Sequence, residues 1–132
     1  MMITRLNHAV LYVRDARVHQ RFYADVLGFG TVAEDPGGGF VFMRAPRSDN
    51  HHDIAFFTVG SEASDSTAGK GSVGMYHIGW EVATLADVVS LHAALAASRP
   101  PGVIDLVPAA RTVLVQVDPE VLPPAAAREG EK

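Results

Sequence analysis

The sequence predicts an α+β fold made of paired βαβββ modules, the second truncated to βαββ. Three observations carry that expectation. A strand followed by a helix occurs twice at one fixed offset of 69 residues, which sets His8 on His77, Val13 on Val82 and Phe22 on Leu91. Each helix is followed by short alternating segments that read as strands. A small, polar, Gly-flanked stretch lies between the two parts and has the composition of a solvated connector. The resulting organisation is a single domain: module one over 1–60, linker over 61–72, module two over 73–118 and a Pro- and Ala-rich tail over 119–132.

Module one opens with an alternating strand, Leu6 to Val13. Leu6, His8, Val10 and Tyr12 share one of its faces, and Asn7, Ala9, Leu11 and Val13 the other. Asp15 can N-cap the helix that follows, Val18, Phe22 and Val26 form an i, i+4, i+8 stripe, and Gly28 is placed to close it. Three strands are expected next, near Thr31–Glu34, Phe40–Arg44 and Asp53–Val59, separated by turn-rich segments at Asp35–Gly39 and Ala45–Asn50. Module two repeats the opening with a strand at Tyr76–Val82. Its helix runs from about Leu85 to Ala97, entered by Thr84 with Asp87 three residues on, and carries the stripe Leu85, Val88, Leu91/His92 and Leu95. Strands at Val103–Val107 and Thr112–Val117 follow. Pro123-Pro124 argues against a further ladder strand, because proline has no N–H to donate.

Composition narrows the function. A length of 132 residues fits one compact domain, with one site or none to find. Eleven Lys and Arg against fifteen Asp and Glu leave a net charge of -4, no surplus for phosphates, and hence no nucleic-acid partner. No Cys is present, which removes disulfides, thiolate metal sites and a cysteine nucleophile. No apolar run reaches the roughly 18 residues of a membrane span, so a soluble, cytoplasmic protein with no membrane partner is expected. Every aromatic and every His lies at or before His92, whereas six of the eight Pro follow Ser98, so the chain changes character inside the second helix.

His8 and His77 are the leading candidates for chemistry. In a pseudo-twofold pair the two first strands lie side by side and present both imidazoles into one shared hollow. Neutral imidazole suits Fe, Mn, Zn or Ni. Alternation turns Tyr76, Ile78, Trp80 and Val82 toward the helix and His77, Gly79 and Glu81 away from it. Glu81 stands four residues from His77, about 13 Å along an extended strand, too far to share one ion. It reads as a solvated strand-end carboxylate. In Asn50-His51-His52-Asp53 adjacent residues point to opposite faces, so at most one of the two imidazoles is expected to face the cavity. His52, grouped by alternation with Ile54, Phe56 and Thr58, is a candidate substrate contact. Tyr12, on the face of His8, and Arg44, at a strand end, are the other two. His19 and His92 read as helical surface or boundary residues. Gly37-Gly38-Gly39 precedes a strand rather than a helix and reads as a turn, not a phosphate cradle.

Residues 2 to about 92 resemble the vicinal-oxygen-chelate superfamily of glyoxalases, extradiol dioxygenases and fosfomycin- or bleomycin-resistance proteins. The resemblance is carried by Leu6 to Val13, Arg21 to Phe29 (with Phe22-Tyr23 and Asp25-Val26-Leu27-Gly28-Phe29), Asn50 to Ala55 and Tyr76 to Val82. It implies paired βαβββ modules around a cavity, His8 and His77 as metal ligands, a divalent ion (Fe, Mn, Zn or Ni) as cofactor and glyoxalase- or dioxygenase-like chemistry on a small molecule. The sequence departs from that pattern at its end. Asp118-Pro119 is followed by Glu120-Val121-Leu122-Pro123-Pro124, without the family's usual turn, last strand and carboxylate ligand. Residues of about 85–119 instead resemble the family of 5-oxoprolinase and allophanate hydrolase subunits, which implies a hybrid.

Three functions follow: a metal-dependent enzyme of the vicinal-oxygen-chelate type, a metal-free small-molecule-binding module of the resistance type, or a catalytically inactive hybrid. The missing last strand leaves an unpaired sheet edge, so a homodimer is expected.

Overall fold

The computed structural model describes residues 2–99 and 103–117 and divides into two compact units, Met1–Ala63 and Ser64–Lys132. The first runs β1 (Ala9–Val13), α1 (Ala16–Asp25), β2 (Gly30–Glu34), β3 (Phe40–Arg44) and β4 (Ile54–Thr58), the βαβββ order expected. Its four strands form one sheet in the order β1-β4-β3-β2. β4 pairs in parallel with β1 (Ala9↔Ile54 to Val13↔Thr58), while β3 is antiparallel to both β4 and β2.

β1 starts at Ala9 rather than Leu6. The Ala9 N–H donates to the Asp53 carbonyl, but just before it the Asn7 carbonyl is taken by the Asn50 side-chain amide, so the ladder cannot extend back past Ala9. Asp15 caps α1 by accepting the Arg17 N–H at 2.8 Å, and Thr58 on β4 accepts the Ala16 N–H at 2.9 Å, which docks the helix start onto the sheet. Gly28 takes φ +75° beyond the helix end, and the Phe29 N–H turns back to the Tyr23 carbonyl at 2.9 Å. In the β2–β3 turn the Gly39 N–H donates to the Asp35 carboxylate, and a Cβ on Gly39 would lie 2.8 Å from that oxygen.

The core of this unit lies between α1 and one sheet face. Val41, Met43, Ile54 and Phe56 are almost wholly buried there. His19 stacks on Phe56 with ring centroids 4.9 Å apart, and Tyr23 meets Phe56 edge-on at 5.1 Å. Ala16 is the fully buried residue of the helix, and His19 and Tyr23 are half-buried against the sheet, as are Phe22 and Val26 of the expected stripe; only Val18 of that stripe is exposed. His19 and Tyr23 join the packed face because they bury the bodies of their rings while keeping a polar tip.

The second unit contains α2 (Leu85–Ser98) and the antiparallel pair β5 (Val103–Pro108) and β6 (Val113–Val117). The capping box at its entrance forms: the Thr84 hydroxyl accepts the Asp87 N–H, and the Asp87 carboxylate accepts the Thr84 N–H. Val88 and Leu95 are buried along the expected stripe, whereas Leu85, in the first turn, is exposed. Residues 76–82 differ from the expected strand. Ile78, Trp80 and Val82 are half-buried and His77, Gly79 and Glu81 exposed, so the alternation is real, but no ladder forms along them. Val82 donates to the Arg111 carbonyl at 3.0 Å, and Arg111 belongs to the turn between β5 and β6. Among the described residues the segment thus meets the hairpin at its tip and pairs with no strand. The Asp118-Pro119 turn and the tail lie outside the described residues. Among the described residues no helix is long and apolar enough to cross a membrane.

Candidate functional site

The face of the first sheet turned away from α1 is set by the same alternation that builds the core. With Val41, Met43, Ile54 and Phe56 directed to the helix, Val10, Tyr12, Phe40, Phe42, Ala55 and Phe57 fall on the opposite side. There His8, Val10, Tyr12, Phe42, His52 and Phe57 line an open cavity of about 540 Å³. Phe57 is the central wall. Its ring lies 6.4 Å from Tyr12, 5.7 Å from Phe40 and 6.0 Å from Phe42. Phe42 in turn stands 4.8 Å from His52.

The two imidazoles meet because parallel register places the starts of β1 and β4 together. His8 and His52 each precede their strand by one or two residues, and their ring centroids are 4.4 Å apart. His52 therefore belongs to the open face and not with Ile54, Phe56 and Thr58, as strand alternation had grouped it. The reason is local. Asp53 is a turn residue whose carboxylate accepts the Ala45 N–H at 2.8 Å, the Ser48 hydroxyl at 2.7 Å and the Asn50 amide at 2.7 Å. Strand alternation begins only after it. His51 does not line the cavity, but its Nδ1 lies 3.0 Å from that of His52.

Electrostatics separates the members of this cluster. Burial pushes the His52 imidazole below its ordinary value, the neighbouring His8 and His51 push it further, and Asp53 opposes them. Burial alone would raise the Asp53 carboxyl. The bonds from Ser48, Ala45 and Asn50 and the charge of Arg44 outweigh it and hold the group below its usual range. Both shifts favour a neutral imidazole beside an ionised carboxylate at neutral pH.

A chain of side-chain bonds ties this carboxylate to His8. The buried Asn50 donates from Nδ2 to Asp53 and to the Asn7 carbonyl, and its Oδ1 accepts from Arg5 at 2.8 Å and from Asn7 at 3.1 Å. Asn7 Oδ1 lies 2.8 Å from His8 Nδ1. Sequence reasoning found His8, His52 and Tyr12 but missed the walls Phe42 and Phe57 and the Arg5–Asn7–Asn50 chain. The walls were readable from alternation within β3 and β4. The chain was not, since it joins residues far apart in sequence that only the parallel pairing of β1 with β4 brings together.

Arg44 shares the open face by alternation but lies beyond the cavity, and its charge acts on Asp53. His77 belongs to the second unit, where it is exposed with its ring 5.0 Å from that of Tyr76. Glu81 is paired with Arg111 at 2.7 Å. His19 and His92 have structural places, the first on Phe56 and the second 3.3 Å from the Leu106 carbonyl. Among the described residues no group of three or more His, Cys, Asp or Glu side chains is arranged to hold a metal ion. His8 and His52 supply two imidazoles, fewer than the three protein ligands usual at a catalytic zinc. This donor set does not by itself complete a metal centre.

A lactoylglutathione lyase from Agrobacterium tumefaciens has a similar structure, with TM-score 0.54 and 23% sequence identity over 80% of this chain and 77% of that one. At that identity the likeness establishes the fold. Comparison with curated proteins gives no match. A family model matches residues 5–112, a span that includes the change of composition near Ser98 and takes in both His8 and the β5–β6 turn. The βαβββ unit, the paired organisation of the sequence and this match together make the chain a member of the Glyoxalase/Bleomycin resistance protein/Dioxygenase superfamily.

Proposed function

We propose that the protein binds a small, planar, largely apolar molecule on the open face of its first unit, as a binding module of its superfamily. The cavity carries this reading. Tyr12, Phe42 and Phe57 supply aromatic walls, and His8 and His52 supply adjacent polar groups at one end, the combination of apolar lining and a few placed polar atoms that small-molecule sites use. No bond-making step is assigned to these residues. The test is titration of the full chain with 1-naphthol, followed by calorimetry and by amide shifts in NMR. Saturable one-site binding with shifts at Tyr12, Phe42 and Phe57, weakened about 3- to 10-fold in Phe42→Ala, is the expected result. Absence of binding up to millimolar concentration would refute it.

One observation bears on a second reading, in which His8 takes part in holding a divalent metal. The contact of His8 Nδ1 with Asn7 leaves Nε2 available, and outer partners of this kind commonly orient metal-ligating histidines. Bound there, Fe, Mn, Zn or Ni would act as a Lewis acid toward substrate oxygens. Elemental analysis of protein purified without chelator decides this reading, with stoichiometric metal in the parent and its loss in His8→Ala as the signature. The span of the family match, which reaches residue 112, supports a superfamily origin for residues 85–112 over a hybrid one.

A further inference from the structure

We propose that Asn7 is a positioning residue that fixes the proton of neutral His8 on Nδ1 and so presents Nε2 to the cavity ligand as a hydrogen-bond acceptor. The inference rests on the preceding reading only in assuming that His8 faces the ligand. It deepens that reading by naming a ligand class: a planar molecule that brings an O–H or N–H donor.

The argument is one of hydrogen-bond polarity passed along a chain whose two ends are fixed. An ionised Asp53 carboxylate can only accept and the Arg5 guanidinium can only donate. Asn50 lies between them. Its Nδ2 faces two groups without protons, Asp53 Oδ1 at 2.7 Å and the Asn7 carbonyl at 2.9 Å, while its Oδ1 faces Arg5 at 2.8 Å. The opposite orientation of this amide would set oxygen against two acceptors and nitrogen against a donor. Asn50 is only 8% exposed, so water would not relieve that clash. Asn50 Oδ1 is therefore an oxygen, and the Asn7 atom 3.1 Å from it must be the amide nitrogen, which donates. That leaves Asn7 Oδ1 turned to His8 Nδ1 at 2.8 Å, and between an acceptor oxygen and a ring nitrogen the proton must sit on the ring. In a neutral imidazole the other nitrogen, Nε2, then carries the lone pair. His8 lines the cavity, so its contribution to recognition is an acceptor.

Two readouts test this on the full chain, without metal and at about pH 8, where the ordinary imidazole is neutral and naphthol keeps its O–H. The first is the His8 tautomer, from long-range proton–nitrogen correlations on protein labelled with nitrogen-15 histidine. The expected result is a proton on Nδ1 in the parent, a proton moved to Nε2 in Asn7→Leu, and Nδ1 protonation restored in Asn7→Asp, whose carboxylate also accepts. Asn7 is exposed, so these substitutions leave the core untouched. The second readout compares 1-naphthol with 1-methoxynaphthalene, which keeps the ring but lacks the O–H. The parent should favour naphthol by about 5- to 10-fold, the worth of one hydrogen bond near 1 kcal/mol, and Asn7→Leu should lose that preference. A parent with the proton on Nε2, or a tautomer unmoved in Asn7→Leu, overturns the proposal. An Nδ1 proton in a parent that binds neither naphthalene supports the positioning role and refutes the small-molecule reading instead.

Discussion

Replacing Asn50 by Ala should cost the first unit about 2–4 kcal/mol at pH 7. Asn50 Nδ2 makes a charge-assisted bond to the Asp53 carboxylate, of the kind worth about 1.5–3 kcal/mol, and a neutral bond to the Asn7 carbonyl worth about 0.5–1.5 kcal/mol. Its Oδ1 partners, Arg5 and Asn7, are exposed and regain water when it is removed, so their bonds add little. The loss must also depend on pH. The Asp53 carboxyl is held below its ordinary 3.8 in the folded chain, so its stabilisation is fully present above that value and disappears as pH falls through the folded titration. The charge-assisted share vanishes with it, and the cost of Asn50→Ala should shrink to about 1–2 kcal/mol once Asp53 is protonated. Urea unfolding of parent and variant at pH 7 and at a series of falling pH values, followed by tyrosine fluorescence and far-ultraviolet dichroism, measures the cost and its pH dependence. A difference under about 0.5 kcal/mol at pH 7, or one that does not shrink as pH falls through the Asp53 titration, would refute the assignment of Asn50 as the brace of Asp53.

Burial holds His19 below its ordinary 6.5 against the opposing charge of Asp15, so the unfolded chain takes up its proton first and stability falls as pH drops below 6.5. His19→Phe keeps a ring on Phe56 without the titration. It should therefore gain on the parent in urea unfolding at pH 5 relative to pH 8, and an unchanged difference would count against the stacked neutral imidazole. Glu81→Gln should change stability by less than about 1 kcal/mol, because the Glu81–Arg111 pair is 63% and 61% exposed and the Val82–Arg111 backbone bond survives. A larger loss in thermal unfolding would mean that the pair organises the 76–82 segment. We further propose a homodimer. Among the described residues β5 and β6 pair only with each other and leave outer edges open to a second chain, so sedimentation at micromolar concentration should give twice the chain mass, and a monomer would reject the idea.

Local rules carried much of this architecture because the elements of module one are locally consistent. Asp15, Gly28 and the alternation in Phe40–Arg44 each specify their structure within a few residues, and β3 was placed at its observed ends. The Thr84–Asp87 capping box was legible for the same reason. Failures arose where a partner distant in sequence decides the outcome. Leu6 to His8 alternates like a strand, but Asn50 captures the Asn7 carbonyl. Tyr76 to Val82 alternates too, yet it meets a hairpin tip instead of a strand. At the site, His8 and Tyr12 were legible from one strand face, whereas the facing of His52 depends on three bonds to the Asp53 carboxylate that no pattern of hydrophobicity encodes.

Parallel pairing of the first and last strands has a kinetic consequence. Residues near β1 and β4 furnish the two imidazoles, so a chain that has made its helix and the β2–β3 hairpin still has no cavity until β4 slots in beside β1, the contact of longest sequence separation in the sheet. Completion of the recognition surface and closure of the sheet are one event. Any molecule that prefers the finished surface therefore acts as a latch on the closed sheet, slowing the release of β4 and lengthening the life of the folded unit.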